Sequence, residues 1–456
     1  MSISNDELSF LILRYFKESG FNHSHFTYIN ESNIDTTSIN GSQIPPGALI
    51  TLLQKGLLYI QLERQILNGG KGSEQGFGSQ ITLLNAALRE GTALGPKDTK
   101  KVVDDSVSAS IPLDQNNSIT LSEHIYDAIC CCWSKDSRFL ATGSSDNSAI
   151  IWDLSNIQSV SQCKLQHGEA DSKQGAHQVN TLDWSPDGKY LVTGCSDGSV
   201  RLFDHNGSLI HSIQGKERII HAVRFDPSGQ RFIVGDSLSK LRVCAAQNGQ
   251  KIKSIKLNHE AIHDAAWKNE ISFAVGCYDG VVAVFDSIEA EPVILTGHTL
   301  IVNSVAWDLQ DNGILASCSD DSTVRVWKNN QEQYVLSGHR FAVYAIKWSI
   351  NGLLASSSMD CTVRIWDPNT GNCLHVLQQH QKLIYALSFS PCGRYLVSGS
   401  NDQTIKFWNS STGELLVSCL GKQNIMDLQY DGTGKYVAAC LEGGNVVLLQ
   451  TESLSI

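Results

Sequence analysis

Eight short apolar strands, six of them ending on an aromatic residue, recur along this chain of 456 residues at a nearly constant interval. The strand ends fall at Trp152, Phe203, Cys244, Phe285, Trp327, Trp366, Trp408 and Leu449, with degenerate copies at Cys244 and Leu449. Successive ends lie 39 to 42 residues apart, except for the 51 that separate Trp152 from Phe203. The outlier predicts an insertion of about ten residues, placed within 155–174 as a polar loop. A second series runs in step with the first. Trp133, Trp184, Phe225, Trp267, Trp307, Trp348, Phe389 and Tyr430 each end an apolar strand, and several precede turn sequences such as Ser185-Pro186-Asp187-Gly188. A self-similar unit of this length is one supersecondary module that cannot bury its apolar faces alone, so the units must stack on one another.

The unit resembles the WD repeat, whose pattern runs Gly-His, strand, turn, strand, Asp turn and a strand ending Trp-Asp. The resemblance covers 118–456 and implies an all-β, eight-bladed propeller. It also implies a structural tetrad in each blade, joining the Gly-His histidine, a Ser or Thr, the turn Asp and the strand-end Trp. The tetrad residues are complete as His124, Thr142, Asp146 and Trp152; as His298, Ser317, Asp321 and Trp327; as His339, Ser356, Asp360 and Trp366; and as His380, Ser398, Asp402 and Trp408. In the set His177, Thr193, Asp197 and Phe203 the phenyl ring brings no N–H donor. The blades ending at Cys244 and Leu449 place Leu238 and Gly443 at the Asp position and are expected to rely on packing alone.

Histidine, serine and aspartate together invite a hydrolase reading. A catalytic triad is one pocket with one geometry, whereas the same set in four copies at one period is a hydrogen-bond network within each blade. No P-loop occurs, and catalysis, a cofactor and a bound metal are not expected. The net charge of −11 disfavours sequence-specific nucleic-acid binding through the phosphate backbone and favours basic partners. No apolar run is long enough to span a bilayer, so no membrane association is expected. The first residues lack the pattern of a signal peptide, which implies an intracellular protein whose thirteen scattered cysteines are reduced thiols.

Residues 1–36 read as two short helices. Leu8, Leu11, Ile12, Tyr15 and Phe16 form one apolar stripe at helical spacing, and Gly20 supplies a left-handed stop. So small a unit cannot bury that stripe within itself, which predicts self-association. These residues, with Phe21 and Phe26, resemble the LisH dimerisation motif. The following Ile39-Asn40-Gly41-Ser42-Gln43-Ile44-Pro45-Pro46 and Leu52-Leu53-Gln54-Lys55-Gly56-Leu57-Leu58-Tyr59 are similar to the F-box-like segment of the transducin β-like corepressor subunits. The organisation expected is a LisH motif at 1–36, an F-box-like helical segment with a Gly-rich insert at 37–90, a flexible linker at 91–117 and the propeller at 118–456. The resemblance implies a nuclear scaffold of a histone-deacetylase complex. Its implied partners are other copies of itself through LisH, as dimer or tetramer, nuclear-receptor-corepressor-like proteins, histone deacetylase, histone tails and the ubiquitin-conjugating machinery. Two alternatives stay open: a substrate receptor of an F-box ubiquitin ligase, and a cytoskeletal LisH–WD regulator, which the Gly-rich stretch 68–79 disfavours because it interrupts a coiled coil.

Two further expectations concern the propeller. Ser118–Leu121 lies in the phase of a last strand and is expected to close the ring on the final blade. The residue four before each aromatic of the second series opens an innermost strand near the channel mouth: Ile129, Asn180, His221, His263, Asn303, Tyr344, Tyr385 and Met426. Only one of the eight is aliphatic, a composition that suits a partner-binding face better than a core.

Overall fold

In the computed structural model, the described residues are 110–113, 117–168, 177–214, 218–310 and 312–454. The LisH stripe from Leu8 to Phe16, the F-box-like segment and most of the linker lie outside them. The described chain forms eight antiparallel sheets at 128–166, 179–213, 220–256, 262–295, 302–336, 343–377, 384–420 and 425–450, here blades 1 to 8. Within each, consecutive strands pair as neighbours in sequence order, which keeps every connection short. The first strand of each blade contacts the first strand of the next, and that of blade 8 contacts that of blade 1, so eight first strands line a central channel.

The hydrophobic core is divided in a way that explains the repeat. There are eight apolar clusters, each shared by two successive blades, from Leu140 and Trp152 with Leu448 between blades 8 and 1 to Phe407 with Val437 between blades 7 and 8. Both faces of every sheet are therefore buried, and the middle strands read as nearly continuous apolar runs such as Phe139–Ser144 and Tyr395–Ser400. The second aromatic series adds directed bonds across these interfaces. The indole N–H groups of Trp133, Trp267, Trp307 and Trp348 donate to the carbonyls of Gln429, Arg224, Ala266 and Ala306 in the preceding blade, at 2.9–3.3 Å.

Blade 8 has only three strands of its own. Its fourth is Ser118–Leu121, antiparallel to Val446–Gln450 in the register Ser118 to Leu449 and Leu121 to Val446. Leu121 is buried in the core between blades 8 and 1. The chain thus locks its own ring before the first repeat begins.

Two sequence expectations change here. The last residues of the linker expected at 91–117 are structured: Ile111–Pro112 pairs in parallel with Cys419 and Leu420 as a fifth strand of blade 7, and Leu113 packs against the core of blades 7 and 8. Proline is tolerated because this is an edge strand, where its missing N–H breaks no ladder. The insertion expected at 155–174 is not all loop, since Ser161–Gln166 is the outer strand of blade 1. All thirteen cysteines are free thiols. Among the described residues, no helix is long and apolar enough to cross a membrane.

Because the closing strand and the fifth strand are separate contacts, truncations should resolve them. Removing 1–109 should leave the melting temperature of the propeller nearly unchanged, and removing 1–113 should lower it modestly. Removing 1–122 exposes the edge of Val446–Gln450 and should lower it by several degrees more. Equal melting temperatures for the second and third truncations would show that Ser118–Leu121 does not hold the ring.

Candidate functional site

The four full tetrads are assembled alike. In blade 6 the Trp366 indole donates to Ser356 Oγ at 2.8 Å, Ser356 Oγ meets His339 Nε2 at 2.8 Å, and His339 Nδ1 meets Asp360 Oδ2 at 3.0 Å. The direction follows from chemistry. A carboxylate only accepts, so Nδ1 carries the proton, Nε2 accepts from the serine hydroxyl, and the serine oxygen accepts from the indole. Corresponding links join Trp152, Thr142, His124 and Asp146 at 2.9–3.2 Å. Blade 5 joins Trp327, Ser317, His298 and Asp321 at 2.8–2.9 Å, and blade 7 joins Trp408, Ser398, His380 and Asp402 at 2.8–2.9 Å.

Burial holds His339 and His380 below the usual imidazole range, against the opposing pull of Asp360 and Asp402, which keeps both rings neutral. Burial tends to raise Asp146, Asp321, Asp360 and Asp402, but hydrogen bonds from their histidines, from the hydroxyls two residues on and from backbone N–H groups outweigh it and hold all four carboxyls low. Those hydroxyls, on Ser148, Thr323, Thr362 and Thr404, are a fifth member that the sequence comparison did not single out. The signal was available in Asp-x-Ser/Thr. Between each pair stands a residue at positive φ: Asn147, Ser322, Cys361 or Gln403.

Blade 2 departs from its expected set. His177 pairs with Asp197 at 2.6 Å, but Thr193 is held by His167 Nε2 at 2.7 Å, and the ring of Phe203 lies 5.6 Å from that of His167. The extra residues before blade 2 split one histidine's role between two. Blades 3 and 8 do not rely on packing alone. In blade 3 Asp236, two residues before Leu238, accepts the N–H groups of Leu238 and Lys240, each at 3.0 Å, and lies 3.5 Å from Arg242. In blade 8 the Gly443 N–H donates to Asp127 of blade 1's entry loop at 2.7 Å.

The eight residues expected at the channel mouth share one backbone feature. In every first strand the pairing slips by one residue, between 128 and 130, 179 and 181, 220 and 222, 262 and 264, 302 and 304, 343 and 345, 384 and 386, and 425 and 427. The residue skipped is in turn Ile129, Asn180, His221, His263, Asn303, Tyr344, Tyr385 and Met426. A β-bulge leaves its extra residue unpaired and re-aims the side chain. All eight are half-buried.

Two more rings surround the mouth. The residue before each turn Asp position donates its N–H to the carbonyl of the residue that precedes a first strand. These pairs are Ser145 to Asp127, Ser196 to Gln178, Ser237 to Ile219, Tyr278 to Ala261, Asp320 to Ile301, Met359 to Ala342, Asn401 to Leu383 and Glu442 to Asn424. Tyr278, Asp320 and Met359 were not singled out in the sequence. The position just before the turn Asp, aligned across repeats, would have shown them.

The bulge residues divide into two sectors. Across blades 2 to 5 the polar ones are committed to the next blade: Asn180 Nδ2 donates to Ile220 O at 3.4 Å, His263 Nδ1 to Asn303 O at 3.0 Å, and Asn303 Nδ2 to Val343 O at 2.9 Å. His221 stacks on His263 with ring centres 5.7 Å apart, and burial together with His263 lowers its pKa to about 4. Across blades 6, 7, 8 and 1 stand Tyr344, Tyr385, Met426 and Ile129, with the two tyrosine rings 5.0 Å apart. Phe341, Met359, Ile125 and Tyr126 at the same end of blades 6 and 1 are 41–70% exposed. Behind the mouth lies a cavity of about 490 Å³ whose polar lining includes Asp183, Arg224, Asp264, Lys347 and Asp427. Arg224 pairs with Asp264 at 3.2 Å, and burial raises the carboxyls of Asp183 and Asp427 above their usual range. Among the described residues no group of His, Cys, Asp and Glu could hold a metal.

The family model described as WD domain, G-beta repeat matches 115–153, 170–204, 291–328, 330–367 and 371–409. Those segments fall on blades 1, 2, 5, 6 and 7, and the unmatched blades 3, 4 and 8 are among those without a full tetrad. Over 98% of its length the chain is 31% identical to the human F-box-like/WD repeat-containing protein TBL1Y, all of which is covered. The chain belongs to this family. It is also 25% identical to the WD40 repeat-containing protein HOS15 of Arabidopsis thaliana, over 98% of the chain and 99% of that protein. The C-terminal WD40 domain of Sif2 superimposes with a TM-score of 0.64 at 22% identity, over 73% of this chain and 98% of that domain. The match to this WD40 domain supports the eight-bladed WD40 propeller, and these relatives indicate no enzyme family.

The tetrad-like residues of blade 2 make stability depend on pH. Burial first, then the nearby Arg201, moves His167 from its ordinary 6.5 to about 4, so only the neutral ring is tolerated in the fold. A depressed imidazole stabilises fully above about pH 6.5, and that contribution is lost as pH falls toward 4. Between pH 7.5 and 5 it amounts to about 2 kcal/mol at ~1.4 kcal/mol per pKa unit. Denaturant titrations should show this loss in the wild type and a shallower decline in His167→Gln, whose amide keeps a partner for Thr193. Parallel pH curves for the two proteins would count against it.

Proposed function

We propose that this protein is a non-catalytic, oligomeric scaffold of a nuclear histone-deacetylase corepressor complex, which regulates transcription by gripping partner proteins at the mouth of its propeller. The observation that carries the reading is the run of Tyr344, Tyr385, Met426 and Ile129, raised on bulges by the successive blades 6, 7, 8 and 1, with exposed Phe341, Met359, Ile125 and Tyr126 at the same end of blades 6 and 1. Aromatic and thioether surface on a rigid frame, rimmed by polar groups, has the composition of a protein-binding hot spot. Full-length similarity to TBL1Y supports the family's role, and a further relative, 24% identical over 76% of this chain, is the yeast SIR4-interacting protein SIF2. The corepressor, the deacetylase, histone tails, the nuclear location and the ubiquitin link rest on the resemblance of the N-terminal segments and repeats to the transducin β-like subunits.

Affinity capture of the full-length protein from nuclear extract, read by mass spectrometry, should recover a histone deacetylase with a corepressor. Tyr344→Ala with Tyr385→Ala should weaken that recovery by more than ~1 kcal/mol, about fivefold, without changing the melting temperature, because neither residue belongs to a tetrad. An unchanged partner set would remove the mouth from the account, and recovery of a ligase adaptor and cullin in place of the deacetylase would favour a ubiquitin-ligase receptor. Oligomerisation is tested separately. Leu11→Asp with Ile12→Asp, each removing roughly 1.5–3 kcal/mol of apolar burial, should convert an oligomer to monomer in light scattering. A wild-type protein that is already monomeric at micromolar concentration contradicts self-association.

A further inference from the structure

The channel has a second opening. Each first strand runs from its bulge at the mouth to an aromatic of the second series, so those aromatics and the turns after them surround the opposite end. A cavity of about 460 Å³ lies there, walled by Pro186, Pro227, Trp267, Trp307 and Leu309. Trp267 and Trp307 are half-buried, whereas Trp133, Trp184 and Trp348 are buried. The turns that follow the first strands expose Ile271 at 53%, Leu309 at 59% and Ile350 at 48%. These three stand on the successive blades 4, 5 and 6, and among the described residues no other turn after a first strand exposes a large apolar side chain. Single exposed apolar residues are ordinary, but a row of them on consecutive blades, with half-open indoles, marks a contact surface.

The channel wall on the same side carries one charge. The first strands of blades 5, 6 and 7, Val302–Trp307, Val343–Trp348 and Ile384–Phe389, hold a single charged residue, Lys347. It stands one position before the final aromatic of its strand, is exposed and lines the cavity. Among the described residues no carboxylate pairs with it. The carboxylates of the channel are already held: Asp264 pairs with Arg224 at 3.2 Å, Asp183 accepts the Phe225 N–H at 2.7 Å, and Asp427 accepts those of Cys131 and Leu428. At the rim Asp308 accepts the N–H groups of Asn312 and Ile314, while Lys268 reaches over the Trp307 ring at 5.3 Å. In a chain of net charge −11, this side of the opening thus combines apolar surface with two lysines that have no ion partner among the described residues.

We propose that this opening docks an extended partner segment that carries an acidic residue between apolar ones. The carboxylate enters the channel and pairs with Lys347, and the flanking side chains cover Trp267, Trp307, Leu309 and Ile350. Within the cavity the pair is partly shielded from water, which strengthens it relative to a pair on the open surface. A lysine suits this place because its flexible stem lets a compact ammonium group follow a single carboxylate. A basic segment is repelled by the same two lysines, which gives the site a sign. The site lies at the other end of the channel from the bulge residues, so it stands or falls independently of the mouth.

The test passes pools of short peptides over immobilised full-length protein. The peptides are amidated at the carboxyl end, so that only a side chain can bring the carboxylate, and carry one central glutamate between randomised apolar residues. Matched pools carry glutamine at the centre. The glutamate pool should be retained about tenfold better, the scale of one charge pair partly shielded from water. Lys347→Met keeps the apolar stem without the charge and should abolish that ratio at an unchanged melting temperature. Leu309→Ser with Ile350→Ser, both at exposed turn positions, should lower the retention of both pools by about fivefold or more. Equal retention of the two pools, or a ratio that survives Lys347→Met, overturns the carboxylate site. Retention that Leu309→Ser with Ile350→Ser leaves unchanged overturns the opening as its place. If neither pool is retained and that same double variant has a lower mass than the wild type in light scattering, the face is a contact between copies of this chain and the proposal fails.

Discussion

Each sheet in this molecule buries both faces, and each face is buried against a different neighbour. No blade is complete until two others flank it, so the eight cores close as a ring or leave two apolar sheet faces in water. The consequence is visible where chain and ring begin. Leu121, on a strand that precedes the first repeat, sits in the core that blade 8 shares with blade 1. A single strand of four residues therefore couples the start of the propeller to its last sheet. It also removes the exposed edge that blade 8 would otherwise offer to other chains.

The tetrads act on a different scale. They tie entry loop, middle strands and turn together within a blade, which fixes the backbone at one end of the channel. In blades 1, 5, 6 and 7 the turn carboxylate also accepts the N–H of the residue after the tetrad histidine, for example Arg340 at Asp360 and Gln381 at Asp402. The bulges use that fixed frame. A regular strand would send the second residue of each first strand into an alternating pattern, whereas the slip in register frees it to stand at the mouth. Blades 6 and 7 combine complete tetrads with Tyr344 and Tyr385, so the largest rings at the mouth are carried on well-tied backbones. That is the property expected of an interaction surface built before its partner arrives.

The period of about 42 residues was legible because six of the eight repeats end on an aromatic ring too large to place anywhere but between blades. The tetrads were legible because histidine, hydroxyl, carboxylate and indole have few ways to satisfy one another in a dry interior. His167 was not, since an insertion separates it from the position where the repeat puts its histidine, and only three-dimensional proximity to Thr193 gives it away. Asp236 escaped for a similar reason, as it serves the blade 3 turn from two residues upstream of the expected position. Ile111–Pro112 reads as linker because a proline and a polar context carry no strand signal, and its pairing depends on an edge supplied some three hundred residues later. The mouth residues were found by counting back from the aromatics. The bulge that makes them special, and the division between Asn180, His263 and Asn303, tied to the next blade, and the apolar sector from Tyr344 to Ile129, are properties of register and contact rather than of sequence.

The central claim is that partners are held at the channel mouth by the bulge residues of blades 6, 7, 8 and 1. Hydroxyl-radical footprinting of the full-length protein, alone and with its captured nuclear partners bound, reads that claim residue by residue. Tyr344, Tyr385, Met426 and the neighbouring Phe341, Met359 and Tyr126 should lose reactivity in the complex, while exposed residues of the outer strands such as Leu209, Ile252 and Leu374 keep theirs. Protection confined to the outer strands, with the mouth tyrosines as reactive as in the free protein, would contradict it.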